Sequence, residues 1–572
     1  MSVRNIMWTA LPNGFTAAGD KLRLSVYISP RLVTNNGVDG ALSEFPDFLD
    51  WPKTVAPLKF KVQIQGGPAF TVGRDPAIPL ESALWSASFG PTTYVRSYQL
   101  PDKTNLNIRS YPVRKVLSFV KQAYQAVAVQ SPDQPPTRGE LNFEDSPRTI
   151  TNLAQISIVN PEEERTIIAT IDAELNGRRT GAAPLHAIPS TFGDSSIDFY
   201  QVRLFHQFLS KRLPDGKPAP LQPQTLPKLD FHDVLSRLSQ YPELERRMGI
   251  VVDLEIPTGI PLSGSMQVIP SLAGPPSISP WTAYKVDTAN KRFTPAAGLN
   301  SDVADGMLLL SANNYDLVEV DVDGAAHKML DFAFNLGYLS SVTRTPGSPQ
   351  RFGFPSLRSA GFAATRVDHA VRLHNRFATA LGQNKSVVAS PQDGPVLVAE
   401  DVTRGYRIDV WDSKSAKWHS LCWRHGTYDF QSTGITRHLA PDEGFTSLAT
   451  SQSADGTTTD LYLPESLFRW AGWSLAVPRI GKTVGPDDKA ADPQNPAQTE
   501  FKLEVTFKPV KRTLPRLRFG TSYQIRARAV DLAGNSLAPD AAIPASFSIP
   551  AQPAPYLRYE PVAAPVVVLR WL

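Results

Sequence analysis

Cysteine is almost missing from this 572-residue chain, in which Cys422 stands alone. No intrachain disulfide can form, so stability has to come from packing. Long apolar runs are missing too. Met307–Leu310 and Val566–Leu569 fall far short of the ~20 residues that cross a bilayer, and the opening MSVRNIMWTALPNGF lacks the apolar stretch of a secretory signal. The expectation is a chain without a membrane span, made and folded in the cytoplasm, that leaves the cell only by lysis or aboard a larger released particle. Charge of one sign is equally scarce. Lys+Arg 58 against Asp+Glu 54 gives a net +4, too thinly spread to draw nucleic acid as a partner.

Catalytic signatures are also lacking. No G-x-S-x-G elbow occurs, the nine histidines are scattered, and no Ser-His-Asp or paired-carboxylate pattern announces itself. His419, Cys422 and His425 have metal-like spacing. On a strand, however, residue 422 faces away from 419 and 425, so no zinc is expected. Glu319, Asp321, Asp323 and Gly324 imitate the head of a calcium loop, yet Leu330 stands where a bidentate carboxylate is needed, and Val318, Val320 and Val322 spell a strand. Gly481-Lys482-Thr483 looks like the tail of a phosphate loop, but Ala476 occupies the place of its leading glycine. No catalytic residue, metal or cofactor is assigned, and a non-enzymatic role is preferred.

Proline, by contrast, is abundant, at 51 residues, close to twice the usual ~5%, and it marks strand edges and ordered loops. At roughly 100–200 residues per domain, three or four domains are expected. Leu22, Leu24, Val26 and Ile28 alternate with polar neighbours, as do Leu58, Phe60, Val62 and Ile64, which predicts two half-buried strands. Between them FPDFLDWP spaces Phe45, Phe48 and Trp51 as a short helical turn that plugs a core. A helix is predicted from Ser110 with Pro112 in its first turn and Val113, Val116, Leu117, Val120, Tyr124 and Val127 on one face. Residues 131–136 stop it, giving an α+β domain at 1–135.

Residues 136–390 read as an α/β or α+β region of one or two modules. Strands are predicted at Asn152–Asn160 and Arg165–Asp172, and helices at Ser195–Leu213 and Phe231–Met248. Gly249 caps the second helix into the strand IVVDLEIP. Leu317–Val322 reads as a strand, Ala325–Leu336 as a helix, and Ala360–Leu381 as a longer helix with Ala363 inward.

Beyond Ser386 the pattern turns all-β. Val396–Ala399 and Gly405–Leu421 read as successive strands of a sandwich spanning 391–550, with later strands at Phe501–Phe507, Phe519–Val530 and Ala545–Ile549. The fullest signal lies in FGTSYQIRARAVDLAGN, Phe519–Asn535. Tyr523, Ile525, Ala527 and Ala529 share one face, and Gln524, Arg526 and Arg528 share the other, which the alternation assigns to water. With Leu517 six residues before Tyr523, this stretch resembles the sixth strand of a fibronectin type III domain, whose tyrosine bonds back to upstream backbone. The resemblance implies that 405–410 and 523–529 are neighbouring strands, with Arg526 and Arg528 laddered against Arg407 and Asp409 on an exposed face. The fold class expected is therefore multidomain α+β, a mixed α/β front half followed by an all-β type III-like sandwich. Residues 551–572 read as a linker or the start of a further strand, as in the front part of a longer protein.

RGYRIDVWDSKSAKWHSLCWRHGTYDF (404–430), LFRWAGWSLAVPR (467–479), YQIRARAVDLAGNS (523–536), the strand around Arg23 and Asp230–Pro257 together resemble a family of large bacterial proteins encoded beside extracellular contractile injection systems, which are phage-tail-like particles. That resemblance implies a structural or adaptor component at the baseplate periphery, or a fibre-like or cage-like subunit, whose partners are other subunits of the assembly. The alternatives are a cargo effector carried by the particle and a surface module that binds a cell-surface glycan or receptor. Arg404, Arg407, Arg424, Arg437 and Arg469 with Trp411, Trp418, Trp423, Trp470 and Trp473 are the side chains suited to such contact. Residues 431–500 read as an insertion the sandwich does not need. Within it Leu467, Trp470 and Trp473 recur every three residues, as in a short helical turn with Arg469 in water that reads either as a lid on the sandwich edge or its joint with the front half, or as a partner-facing patch, and Trp470, Trp473, Phe468 and Arg469 are its candidate interaction residues.

Overall fold

The computed structural model describes residues 2–109, 228–319, 361–452, 460–484, 490–491 and 501–557, apart from positions 36, 275–276, 312–313, 367–368, 391–393, 465, 480 and 482. The expected helices at 110–127, 195–213 and 325–336, the strands at 152–172, and Asp321 and Asp323 lie outside the described residues.

The front of the chain is built on β1 (Val3–Phe15) and β2 (Lys21–Val33), a long antiparallel hairpin in which Trp8 opposes Ile28. Then come the helical turn α1 (Trp51–Val55), β3 (Lys59–Ile64), β4 (Ala69–Gly73) and α2 (Ser82–Ser88). As alternation predicts, Leu22, Leu24, Val26, Ile28, Phe60, Val62 and Ile64 are buried. Phe45, Phe48 and Trp51 fill the core beside them. Phe48 stacks on Trp51 with centroids 4.7 Å apart, and Trp51 Nε1 donates to the Gly249 carbonyl at 2.8 Å.

The single helix expected over 231–248 is two, α3 (Phe231–Leu238) and α4 (Pro242–Arg247). Pro242 lacks the N–H that would continue α3 and instead starts a new first turn. At Gly249, φ is +73°, and a Cβ there would lie 2.7 Å from Val55 Cγ1, so glycine is required twice over. The chain then enters β5 (Val251–Pro257), which pairs with β2 and places Leu254 opposite Leu24. β6 (Ser263–Pro270), β7 (Thr282–Asp287) and β8 (Arg292–Pro295) follow, and the second sheet runs β8-β7-β6-β3-β4. Both sheets contribute to one core. Residues 21–73 and 251–295 are thus interleaved across the cut expected near residue 135.

The remaining described chain contributes β9 (Met307–Leu308), β10 (Tyr315–Val318), β11 (Phe362–Arg366), α5 (His369–Ala389), β12 (Thr403–Asp412) and β13 (Lys417–Ser420). It continues with β14 (Trp423–Phe430), β15 (Ile435–His438), β16 (Ser466–Trp470), β17 (Leu503–Pro509), β18 (Ser522–Asp531) and β19 (Ile549–Pro555). β12 and β18 are antiparallel neighbours, as the resemblance implied, with Ile408 opposite Ala527. β13 extends this sheet beyond β12, while β9 and β19 pair with β18. A second sheet, β10-β11-β16, shares its core, where Phe362, Phe468 and Trp470 meet Ile408, Tyr523 and Ile525.

Four expectations need correction. Residues 362–366 form a strand rather than the start of a helix, because all five are buried between β10 and β16, where ladder hydrogen bonds outweigh alanine's helix preference. Val396–Ala399 is not a strand: Leu397 makes an isolated bridge to Thr282, and a helical turn begins at Ala399. Residues 466–470 form a core strand, so the stretch expected to be dispensable supplies one strand of the sheet β10-β11-β16. Finally, β17, expected beside β12 and β18, instead flanks β14 opposite β15. Tyr428 and Phe430 from that sheet belong to the same core as Trp8 and Phe60, and Met307, ahead of the cut expected at 390, pairs with Arg528. The chain is mostly β within a multidomain α+β class.

Candidate functional site

A buried cluster of charge lies on the face of β12 and β18 that alternation assigned to water. Asp409 opposes Arg526, and Arg407 opposes Arg528. The ladder exists, but it is dry: Asp409, Arg526 and Arg528 are 0%, 3% and 0% exposed. The chain after β18 folds back over them, and carbonyls of that segment accept from both arginines, Pro539 O from Arg526 Nη2 and Leu537 O from Arg528 Nη1, each at 2.6 Å.

Every charge in this cluster is answered. Asp409 accepts from Arg526 Nε at 2.9 Å and from Arg528 Nη2 at 2.8 Å and Nε at 2.9 Å. Glu443 accepts from Arg528 Nη2 at 2.6 Å and Nη1 at 3.0 Å. Arg407 gives its protons to the carbonyls of Glu443, Gly444 and Gly534. Burial works against ionising Glu443, yet Arg528 and then Arg407 hold its carboxyl below the ordinary range. Burial likewise opposes the charge on Arg528, but Asp409 and Glu443 drive its pKa up. Arg526 also lies over the Trp418 ring, 4.3 Å from its centroid.

A second cluster joins this cluster's strand to the front sheets. Asn535, just past β18, accepts from Arg246 Nη2 of α4 at 2.7 Å, and Arg246 Nε donates to Asp253 of β5 at 3.0 Å. Ser25 of β2 donates to Asp253 at 2.6 Å. Arg404, at the start of β12, pairs with buried Glu245 at 3.1 Å and caps the Ser239 carbonyl. Burial pushes the Glu245 carboxyl up to about 7, and Arg404 only partly offsets this. Gly534 takes φ +78° where a Cβ would sit 2.4 Å from Pro242 Cβ.

The arginines and tryptophans suited to a contact surface are therefore largely consumed inside the protein. Arg404, Arg407 and Arg424 are tied up internally, Arg424 to Asp442 at 3.2 Å, and Arg437 shares Glu81 with Arg247. Trp470 is 0% exposed, stacked on Phe362 and set edge-on to Tyr523, and Phe468 is buried beside it. Trp473 is half-buried, with Nε1 turned to the carbonyls of Val477 and Pro478. Only Arg469 of the four candidates is exposed. The partner-facing helical turn is thus replaced by a core strand, because alternation within β16 sends Phe468 and Trp470 inward together. His419 pairs with Asp412, Cys422 is buried with its thiol pushed up to about 11, and His425 is exposed. A thiol so placed is inert as a nucleophile. Among the described residues no group of His, Cys, Asp and Glu is arranged to hold a metal, and no helix is long and apolar enough to cross a membrane.

Sequence reasoning missed Glu443 and Asn535, which complete the two clusters. Two unlikely neighbours, Gly444 and Gly534, flank them, and glycine beside a polar residue was the available signal for close approach. Comparison with protein-family models, with curated proteins and with solved structures gave no match.

Proposed function

We propose that this protein is a non-enzymatic structural or adaptor subunit of a large assembly, of the phage-tail-like contractile kind suggested by the motifs at 404–430, 467–479 and 523–536. The observation that carries this reading is the use made of charge. Asp409, Arg526, Arg528 and Glu443, buried and drawn from sequence-distant elements, are spent on one another. Such networks resist relative movement of the elements they join, which suits a part that transmits load. We also read the sheets β13-β12-β18-β19 and β10-β11-β16 as a fibronectin type III-like sandwich. The Tyr523 hydroxyl supports this, since it donates to the Arg516 carbonyl at 2.7 Å, the upstream bond of a tyrosine corner. The test is copy number in purified particles. A fixed count matching the particle's symmetry is expected; variable, substoichiometric copies released on contraction would overturn the reading in favour of cargo.

A further inference from the structure

From the end of β17 to β18 the chain crosses the end of the sandwich, and along it Lys508, still within β17, and Lys511, Arg512, Arg516 and Arg518 beyond it are all exposed. Among the described residues none of these five meets a carboxylate, unlike Arg424, Arg526 and Arg528. Like charges left unanswered repel one another and disfavour the compact state. The cluster extends further. A Cβ at Gly472 would lie 3.1 Å from Leu517 Cβ, so the turn after β16 abuts this segment. Trp473 in that turn holds the carbonyls of Val477 and Pro478, next to exposed Arg479. Burial and then the charge of Arg479 lower the pKa of Arg469.

The segment is also held rigid. The Tyr523 hydroxyl donates to Arg516 O and accepts from Arg518 N at 2.9 Å, Thr513 Oγ1 donates to Val510 O at 2.9 Å, and Gly520 N donates to Tyr556 O at 2.9 Å. Leu517 packs against the sandwich core, leaving Arg516 and Arg518 exposed on either side of it. Two residues of chain reach at most roughly 7 Å. Carboxylates at alternate positions of an extended peptide repeat at about that reach. Phe519, 66% exposed, offers an apolar ledge at the end of the row. One ring beside five cations is poorly suited to single-stranded nucleic acid, which is held by stacking successive bases on aromatics.

We propose that this basic row docks an extended acidic segment of a partner protein, with alternate carboxylates on Arg516 and Arg518 and an apolar side chain against Phe519. The proposal rests on the adaptor reading for the existence of a partner polypeptide, but its test is separate from particle stoichiometry. The full chain is titrated into a fluorescein-labelled peptide of alternating Glu and Val, with the Gln-Val peptide and a thymidine oligonucleotide of equal charge as comparisons. Binding of the Glu peptide alone is expected, weakening as salt rises from about 50 to about 300 mM as the Debye length shortens. The double variant Arg516→Ser, Arg518→Ser should bind roughly tenfold or more weakly. Its fold should persist, because the bonds at these positions use main-chain atoms. Lys511→Glu with Arg512→Glu, on a separate turn, should weaken binding as well. Equal binding of the Glu and Gln peptides, unchanged affinity in both double variants, or tighter binding of the oligonucleotide would each overturn the proposal.

Discussion

Replacing Asp409 by Ala tests the buried cluster directly. Asp409 stands between two guanidiniums and accepts from Arg526 Nε and from Arg528 Nε and Nη2, all within 2.9 Å. Its loss leaves both arginines buried with Glu443 as the remaining carboxylate, and Arg526 loses its ion pair outright. Hydrogen bonds to charged groups contribute ~1.5–3 kcal/mol each, but the three share one carboxylate and do not add. The relevant scale is the ~3–5 kcal/mol cost of stripping one partner from a buried pair. Equilibrium urea unfolding followed by tryptophan fluorescence should therefore lose about 3–5 kcal/mol in Asp409→Ala, with Asp409→Asn in between because an acceptor oxygen survives. Replacing Asp409 and Arg526 together by apolar residues of similar volume should recover part of the loss, since Arg528 then keeps its pair with Glu443 and the charge that had paired only with Asp409 is gone. A loss below ~1 kcal/mol, the value of a solvated surface pair, would refute the buried network.

Trp470→Ala, which empties a fully buried site against Phe362 and Tyr523, should cost about 3–5 kcal/mol in the same assay; near-neutral stability would return this ring to the surface. Gly534→Ala combines an unfavourable φ with a clash against the rigid Pro242 ring, and a loss of about 1–3 kcal/mol is expected, with hydrogen exchange accelerating on both α4 and the turn after β18. For Glu245, the folded carboxyl titrates near 7 against an ordinary 4.5, raised by burial. The folded state therefore holds a proton that the unfolded state has released, and this contribution to stability falls as pH rises from 4.5 through 7. Glu245→Gln should flatten the decline, a slope of at most about 1.4 kcal/mol per pH unit for one group; an unchanged profile would sink the assignment.

The sequence by itself determined the strands whose two faces differ. Leu22 to Ile28, Phe60 to Ile64 and Tyr523 to Ala529 each place apolar residues at a period of two, and each does bury them. It also determined the aromatic plug at Phe45, Phe48 and Trp51 and the glycine turn at Gly249, because both signals are local: a spacing and a required φ. The neighbouring of β12 and β18 followed from resemblance in their patterns. What tertiary structure alone decided was whether a polar face stays wet. Arg526 and Arg528 alternate as solvated residues do, and only the fold-back of residues 537–539 together with Glu443 makes them core. The same holds for Phe362–Arg366, whose alanines favour a helix until two partner strands offer ladders, and for Trp470, whose burial depends on β11. Period two reports which side chains share a face, but what covers that face is set by chain hundreds of positions away in some cases and a few in others. Coverage is a long-range property, and local chemistry carries no record of it.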